Sequence, residues 1–438
     1  MDALAARVDA VLRRHVRRDA HLHVGLSGGI DSVVLLHVLA RDLRWPAARL
    51  SAVHVNHQLS PHAARWAAFC ARLCRRLEVP LQIANVAVVR GNSTEAAARV
   101  ARHGVFAATG AKLVVLAHNR DDQAETMLLQ LLRGAGPLGL AAMPELRAAA
   151  QGIPAILRPL LDVPRSDIAA YARAHRLKWM DDESNRDRAY LRNFLRHDIL
   201  PALSVKVPGV GATLARAARH QAEAADLLDA LARQDFGRGK TTTLPVSRLA
   251  RLDAPRARNL LRYFLRMNGV AMPDAVRLDE LLRQATGARP DARVSVALGP
   301  VEIKRFHGRL HVVQPLPRKA TELEWTWNGH GTLSMPELGG ALRLVRRRGM
   351  GIDARLLRDA VLTVRTRRGG ESLRLSAGAR RRTVRNLLQE AAIAPWVRDR
   401  LPCIFVNGEL ACVTVLGVDS AFQARPGTAG MLPVWMAD

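Results

Sequence analysis

Apolar positions along the first two hundred residues follow two alternating periods. Leu4, Val8, Leu12 and Val16 recur at close to helical spacing, which predicts a helix over residues 1–18. Residues 21–26 alternate apolar and polar, a Ser-Gly-Gly turn follows, and residues 30–39 are almost wholly apolar. That order reads as strand, turn, helix. The same logic predicts strands over 50–55, 81–89 and 112–117, and helices over 63–77, 94–109 and 123–133. Strands separated by helices of 10–15 residues form βαβ units on a parallel sheet. Right-handed crossovers put helices on both faces of that sheet, so the expected fold is α/β, a doubly wound parallel sheet of Rossmann-like type.

The pattern changes near residue 205, where Pro208 and Gly209 break the chain. A long Ala-rich helix is predicted over 211–235, two more over 253–268 and 274–285, and strands over 294–298 and 301–313. Pro315, Pro317 and polar residues up to 323 read as a linker. Beyond it, short strands surround one clear helix, 382–391. Three domains are therefore expected: a catalytic domain over 1–205, a small mainly helical domain over 206–318, and an α+β domain over 319–438.

Composition adds a partner. The 438 residues carry 66 Lys and Arg against 39 Asp and Glu, a net charge of +27. Nearly all of the positive charge is Arg, as a GC-rich coding bias would produce, but that bias does not explain the shortage of acids. Such an excess attracts polyanions, nucleic acid first. No apolar run approaches the roughly 18 residues of a membrane span. Asp2, Asp9 and Asp19 interrupt any leader pattern, so a cytoplasmic protein without membrane contact is expected. The four cysteines (Cys70, Cys74, Cys403, Cys412) form no C-x-x-C pair, and buried free thiols are expected.

The chemistry is concentrated in Leu26-Ser27-Gly28-Gly29-Ile30-Asp31-Ser32, at the first strand–helix junction. Two glycines let backbone N–H groups approach a phosphate, and the helix N-terminus adds partial positive charge. Ser27 and Ser32 can donate hydroxyls. Asp31 would repel a phosphate directly but suits an Mg²⁺ ion bridged to one. This is not a Walker A loop. The one near match, Gly239-Lys240-Thr241, has Gln234 where the first glycine belongs.

The Ser-Gly-Gly-x-Asp-Ser turn resembles the PP-loop of the N-type ATP pyrophosphatases. Further residues narrow the resemblance. They are Ala52-Val53-His54-Val55-Asn56-His57; Asn92-Ser93-Thr94-Glu95; His118-Asn119-Arg120-Asp121-Asp122-Gln123-Ala124-Glu125; Leu131-Leu132-Arg133-Gly134; Arg158-Pro159-Leu160-Leu161; Asp181-Asp182-Glu183-Ser184-Asn185; and Arg192-Asn193 with Leu195-Arg196. In the tail stand Arg368-Gly369-Gly370-Glu371, Leu387-Leu388-Gln389-Glu390 and Ala394-Pro395-Trp396 with Arg398. Together these resemble the tRNA(Ile)-lysidine synthetase family. Departures are small: Ala394 replaces a usual proline, and Arg381, Arg382 and Arg385 replace usual lysines, keeping the charge.

The resemblance implies an ATP-dependent ligase that joins L-lysine to the wobble cytidine of the isoleucine tRNA with anticodon CAU. The base is adenylated first, and AMP and pyrophosphate leave. ATP would be held by Ser27, Gly28, Gly29, Ile30, Asp31, Ser32, His54 and Val55, and Mg²⁺ by Asp31 and Asp122. His118, Glu125 and Arg192 would complete the catalytic set with those two aspartates. Arg368, Arg381, Arg382, Arg385, Trp396 and Arg398 would contact tRNA. A homodimer is left open. Three rivals remain at this level: a tRNA thiolase, which usually needs paired cysteines; a small-molecule amidating synthetase, which needs no such charge; and a catalytically inactive RNA-binding protein.

Overall fold

In a computed structural model the described residues are 2–58, 62–86, 94–150, 152–181, 183, 187–239, 241–289, 292, 294–315 and 323–437. The chain divides into two compact units, Met1–Ala230 and Leu231–Asp438.

The first unit is built on β1 (Leu22–Gly25), β2 (Leu50–Asn56), β3 (Leu81–Asn85), β4 (Leu113–Val115), β5 (Leu146–Arg147) and β6 (Ala155–Leu157). They lie in the order β3-β2-β1-β4-β6-β5, all parallel except the short edge strand β5. The helices are α1 (Ala3–His15), α2 (Ile30–His37), α3 (Ala63–Leu77), α4 (Thr94–Ala108), α5 (Arg120–Leu132), α6 (Pro137–Leu140), α7 (Arg165–Ala174) and α8 (Leu191–Phe194). Strand alternation assigns neighbouring residues to opposite faces. Val24, Ala52, Val115 and Leu157 join the core under α1, α2, α3 and α7. Val53, Val114 and Ile156 join a second, smaller core with Phe106 of α4. Helices therefore cover both faces, and the doubly wound expectation is met.

Several expected bounds move. The strand expected over 81–89 ends at Asn85, and 87–89 lie outside the described residues. The helix expected from 123 begins at Arg120, because Asn119 caps it. Side-chain capping, not hydrophobic period, fixes that start.

In the second unit, Thr243–Pro245, Arg309–Val313, Val301–Phe306 and Ser295–Leu298 form an antiparallel sheet. The single strand expected over 301–313 is thus a hairpin. It turns at His307 and Gly308, both with positive φ (44° and 67°), the backbone that two-residue hairpin turns require. Helices Ala254–Met267 and Ala275–Gly287 share a core with this sheet through Leu260, Phe264, Leu281, Ile303 and Leu310. Further on, five- and four-stranded antiparallel sheets meet around Trp327, Leu342, Val364 and Ile404. The helix expected over 382–391 spans Val384–Glu390. Arg382–Thr383 instead pairs with Ser372–Leu373, and Thr383 caps the helix. All four cysteines are free and buried.

Candidate active site

Strand β1 lies between β2 and β4, so the connections leaving its C-terminal end and that of β4 run to opposite sides. Ligands in open α/β sheets bind at such a switch point. The loop after β1 and the start of α5 after β4 meet there.

The loop is shaped by its glycines and serines. Gly28 has φ +89°, and a Cβ on it would come within 3.2 Å of the Cys70 Sγ of α3. Position 28 therefore disfavours a side chain, first through its backbone conformation and then through the crowding against Cys70. Ser32 Oγ receives the Gly28 N–H at 3.2 Å and donates to the Gly29 carbonyl at 2.9 Å. Ser27 Oγ receives the Gly29 N–H at 3.2 Å and lies 3.1 Å from Ser32 Oγ. Two loop amides thus face hydroxyl oxygens, positions that phosphate oxygens can take over. The Ile30 side chain is in the core, so only its main chain is available to a ligand. His54 is buried, and its Nδ1–H donates to the Leu26 carbonyl at 2.8 Å, tying β2 to the loop. Val55 packs against the smaller core. Met180 anchors the other side through its N–H to the Gly28 carbonyl.

Asn119 joins this loop to α5. Its amide donates to Asp31 Oδ1 at 3.0 Å, while its carbonyl oxygen caps the N–H groups of Asp121 and Asp122. Asp122 returns the capping box by accepting the Asn119 N–H. One buried residue therefore holds both carboxylates expected at Mg²⁺, Asp31 through its side-chain amide and Asp122 through its backbone N–H. Burial raises the Asp31 pKa above the usual carboxylate range; Arg165 and the Asn119 bond oppose that, and the nearby Asp122 charge reinforces it. Replacing Asn119 with alanine should cost about 1–2 kcal/mol through the lost cap alone. Urea unfolding at neutral pH measures it, and an unchanged midpoint would refute the capping role.

Next to Asp122 lies a closed four-charge cluster. Glu125 has a side chain only 1% exposed. Arg192 Nε donates to it at 2.8 Å, and Arg196 donates to both of its oxygens at 2.6 and 2.9 Å. Each arginine also reaches Asp122 Oδ1 at 3.1 Å. Burial works against both guanidinium charges, but Asp122 and Glu125 outweigh it and hold both arginines above their ordinary range. The arginines come from α8 and the π-helical turn Leu195–Ile199 behind it, the kind of irregularity often found at functional sites. His118 stands just before Asn119 at the end of β4, and its Nδ1 receives the Nε–H of the buried Arg158 at 3.3 Å.

The structure therefore brings Ser27, Gly28, Gly29, Asp31, Ser32, Asp122, Glu125 and Arg192 into one connected network. It adds Arg196 and Asn119, which the sequence reading quoted without a role. Asn119 carried a legible signal, an Asn with Asp three residues later at a helix start. Arg196 carried only its i+4 spacing from Arg192. Asn92, Ser93, Asp182, Ser184 and Asn185 lie outside the described residues.

The expected tRNA contacts are spread over the second unit. Arg368 pairs with Glu324 at 2.6 Å, Arg381 with the buried Asp419 at 3.3 Å, and Arg382 with Glu390. Arg385 lines a surface pocket with Arg367, Gly369, Gly370 and Asn386. The Trp396 ring packs edge-on against Phe306 and His311, with centroids 5.8 and 5.3 Å away, and Lys304 sits over it. Arg398 donates through Nε to the Ile393 carbonyl at 2.7 Å.

Comparison with known proteins follows the same division. A family model described as a PP-loop domain matches residues 2–203, a TilS substrate binding domain matches 244–311, and a TilS substrate C-terminal domain matches 362–435. A tRNA(Ile)-lysidine synthase of Nitrosomonas europaea is 42% identical over 430 residues, covering 97% of this chain and 93% of that protein. One from Chromobacterium violaceum is 44% identical over 420 residues, covering 94% of each. One from Azoarcus sp. is 40% identical over 427 residues, covering 95% and 92%. With similarity of this degree along nearly its whole length, and with a PP-loop and its acidic partner helix joined at the sheet's switch point, the chain belongs to the tRNA(Ile)-lysidine synthase family.

Proposed function

We propose that this protein uses ATP to attach L-lysine to the wobble cytidine of the isoleucine tRNA with anticodon CAU, forming lysidine. The observation that carries this reading is the near-full-length match to tRNA(Ile)-lysidine synthases, which spans both the PP-loop domain and the two substrate domains.

The cytidine carbon-2 oxygen is a poor leaving group, so ATP first adenylates it and pyrophosphate departs. The loop amides of Gly28 and Gly29, with the Ser27 and Ser32 hydroxyls, hold the departing phosphates at the N-terminus of α2. Asp31 and Asp122 would hold Mg²⁺. Among the described residues no three His, Cys, Asp or Glu side chains converge as a closed metal cage. Two carboxylates held by one residue, Asn119, still fit this ion, which is commonly bound by one or two carboxylates together with substrate phosphates and water. When bound, it supplies positive charge against the negative charge building on pyrophosphate.

The lysine ε-amine then attacks carbon 2 and expels AMP. Free in water, that amine has a pKa of about 10.4 and is protonated. The partly buried guanidinium groups of Arg192 and Arg196 disfavour the ammonium form beside them. Glu125, which does not hold the ion, is the carboxylate at hand to accept the proton. An anticodon base is reached readily, because a single-stranded loop can splay it out.

The division at 205/206 and 318/319 and the grip of the two later domains on tRNA are part of the same proposal. So is a cytoplasmic setting, where that tRNA resides. Among the described residues no helix is long and apolar enough to cross a membrane. Arginines already paired with acids, such as Arg382 with Glu390, release fewer counterions than free ones. Removing residues 319–438 should weaken tRNA binding and flatten the dependence of log affinity on log salt. Filter binding between about 50 and 200 mM salt checks this, and an unchanged slope would contradict it.

A further inference from the structure

Resting on the function just proposed, we infer that Arg158 is a positioning residue that fixes His118 as a neutral ring protonated on Nε2, so that His118 acts in the site as a hydrogen-bond donor and not as the base that deprotonates lysine.

The juxtaposition follows from the sheet. Strands β4 and β6 are parallel neighbours in the register Leu113↔Ala155, Val114↔Ile156, Val115↔Leu157. His118 and Arg158 both leave the C-terminal ends of those strands, at the edge where the loop and α5 meet. Arg158 is held on three sides. Its N–H donates to the Glu145 carbonyl at 2.9 Å, its Nη1 to the Pro144 carbonyl at 2.7 Å, and its Nε to His118 Nδ1 at 3.3 Å. Only 3% of the residue is exposed.

A guanidinium has donors and no lone pair. The nitrogen facing it must therefore be the acceptor, and Nδ1 carries no proton. A neutral imidazole then keeps its hydrogen on Nε2 as its one remaining donor. Doubly protonated imidazole would set an N–H against the fixed cation. Burial lowers the basicity of His118 far below the ordinary imidazole range. Of the charges around the ring, Asp122 opposes that, while Arg158, Arg192 and Arg102 reinforce it. A neutral Nε2–H suits an acceptor oxygen in the substrate, either of the ATP α-phosphate or of the cytidine carbonyl. It does not suit an ammonium group. Proton acceptance from lysine then falls to Glu125.

The test is nitrogen-detected NMR on the full-length protein carrying labelled histidine, with His118 assigned by comparison with His118→Gln. The inference expects a single ring proton, on Nε2, unchanged from pH 6 to 8. A proton on Nδ1, or a titration within that range, would overturn it. Arg158→Lys keeps a donor and should retain the tautomer. Arg158→Met removes the donor to Nδ1 and should let the Nδ1-protonated tautomer appear, with kcat falling while the KM for lysine changes less than about twofold. If Arg158→Met does not fold, the wild-type spectrum still decides. Addition of a non-hydrolysable ATP analogue, then of an anticodon stem-loop, separates the two acceptors: a shift of the Nε2 signal with the first assigns the phosphate oxygen, and a shift only with the second assigns the carbonyl. No shift with either would overturn the donor role. The tautomer is read without turnover, so failure of the proposed reaction and failure of this inference are distinguishable.

Discussion

Asp31→Ala should abolish AMP and pyrophosphate release while leaving tRNA affinity within about twofold. The reason is local. Asp31 sits on the phosphate loop, and its side chain is tied through Asn119 to the start of α5. Its removal takes away one of two carboxylates that would hold Mg²⁺ against the leaving phosphates. Loss of a single preorganised electrostatic group costs on the order of 10²–10³ in rate, and loss of a metal position should cost at least that. Isotope exchange between pyrophosphate and ATP in the presence of tRNA measures the first effect, and filter binding the second. Normal exchange in the variant would remove Asp31 from the mechanism. Weak tRNA binding with normal exchange would mean that the loop contacts RNA instead.

The second large effect concerns Glu125. Its carboxylate is buried beneath two guanidinium groups that share it with Asp122. Truncation to alanine leaves two partly buried cations with one acid between them. Breaking a buried pair from one side typically costs about 3–5 kcal/mol, because the remaining charge is uncompensated. Glu125→Ala should therefore lower stability by about that amount and remove lysine transfer. Glu125→Gln keeps the shape and an acceptor oxygen, so it should recover part of the stability but little of the transfer. Urea unfolding followed by lysine incorporation separates the two losses. Equal stability of the alanine variant and the wild type would show that the cluster is not a closed ion network.

The fold was largely legible because its signals are local. The apolar stretch of β2 spans 7 residues and the helical spacing of α3 spans 15, and the helix expected over 63–77 is observed at those bounds. The hairpin at His307 and Gly308 was missed because a two-residue turn leaves the apolar run around it almost unbroken. The site was legible as a set of motifs but not as a circuit. Nothing near Arg196 in sequence indicates that it binds Glu125, 71 positions earlier. Nor does anything near Arg158 point to His118, 40 positions away. Such pairs are created by strand order, which single-chain periodicity does not specify. Trp396 illustrates the same point. Its place in an arginine-rich tail says nothing of the packing that its ring makes on Phe306 and His311.

The most direct test of the account is lysine transfer itself. Purified protein is incubated with ATP, Mg²⁺ and labelled L-lysine, with either the isoleucine tRNA bearing CAU or the elongator methionine tRNA. The account predicts label in the isoleucine tRNA alone, with one AMP released for each lysine incorporated. Release of AMP without label in either tRNA would contradict lysine as the acceptor substrate, and neither label nor AMP from folded protein would contradict the enzyme reading altogether.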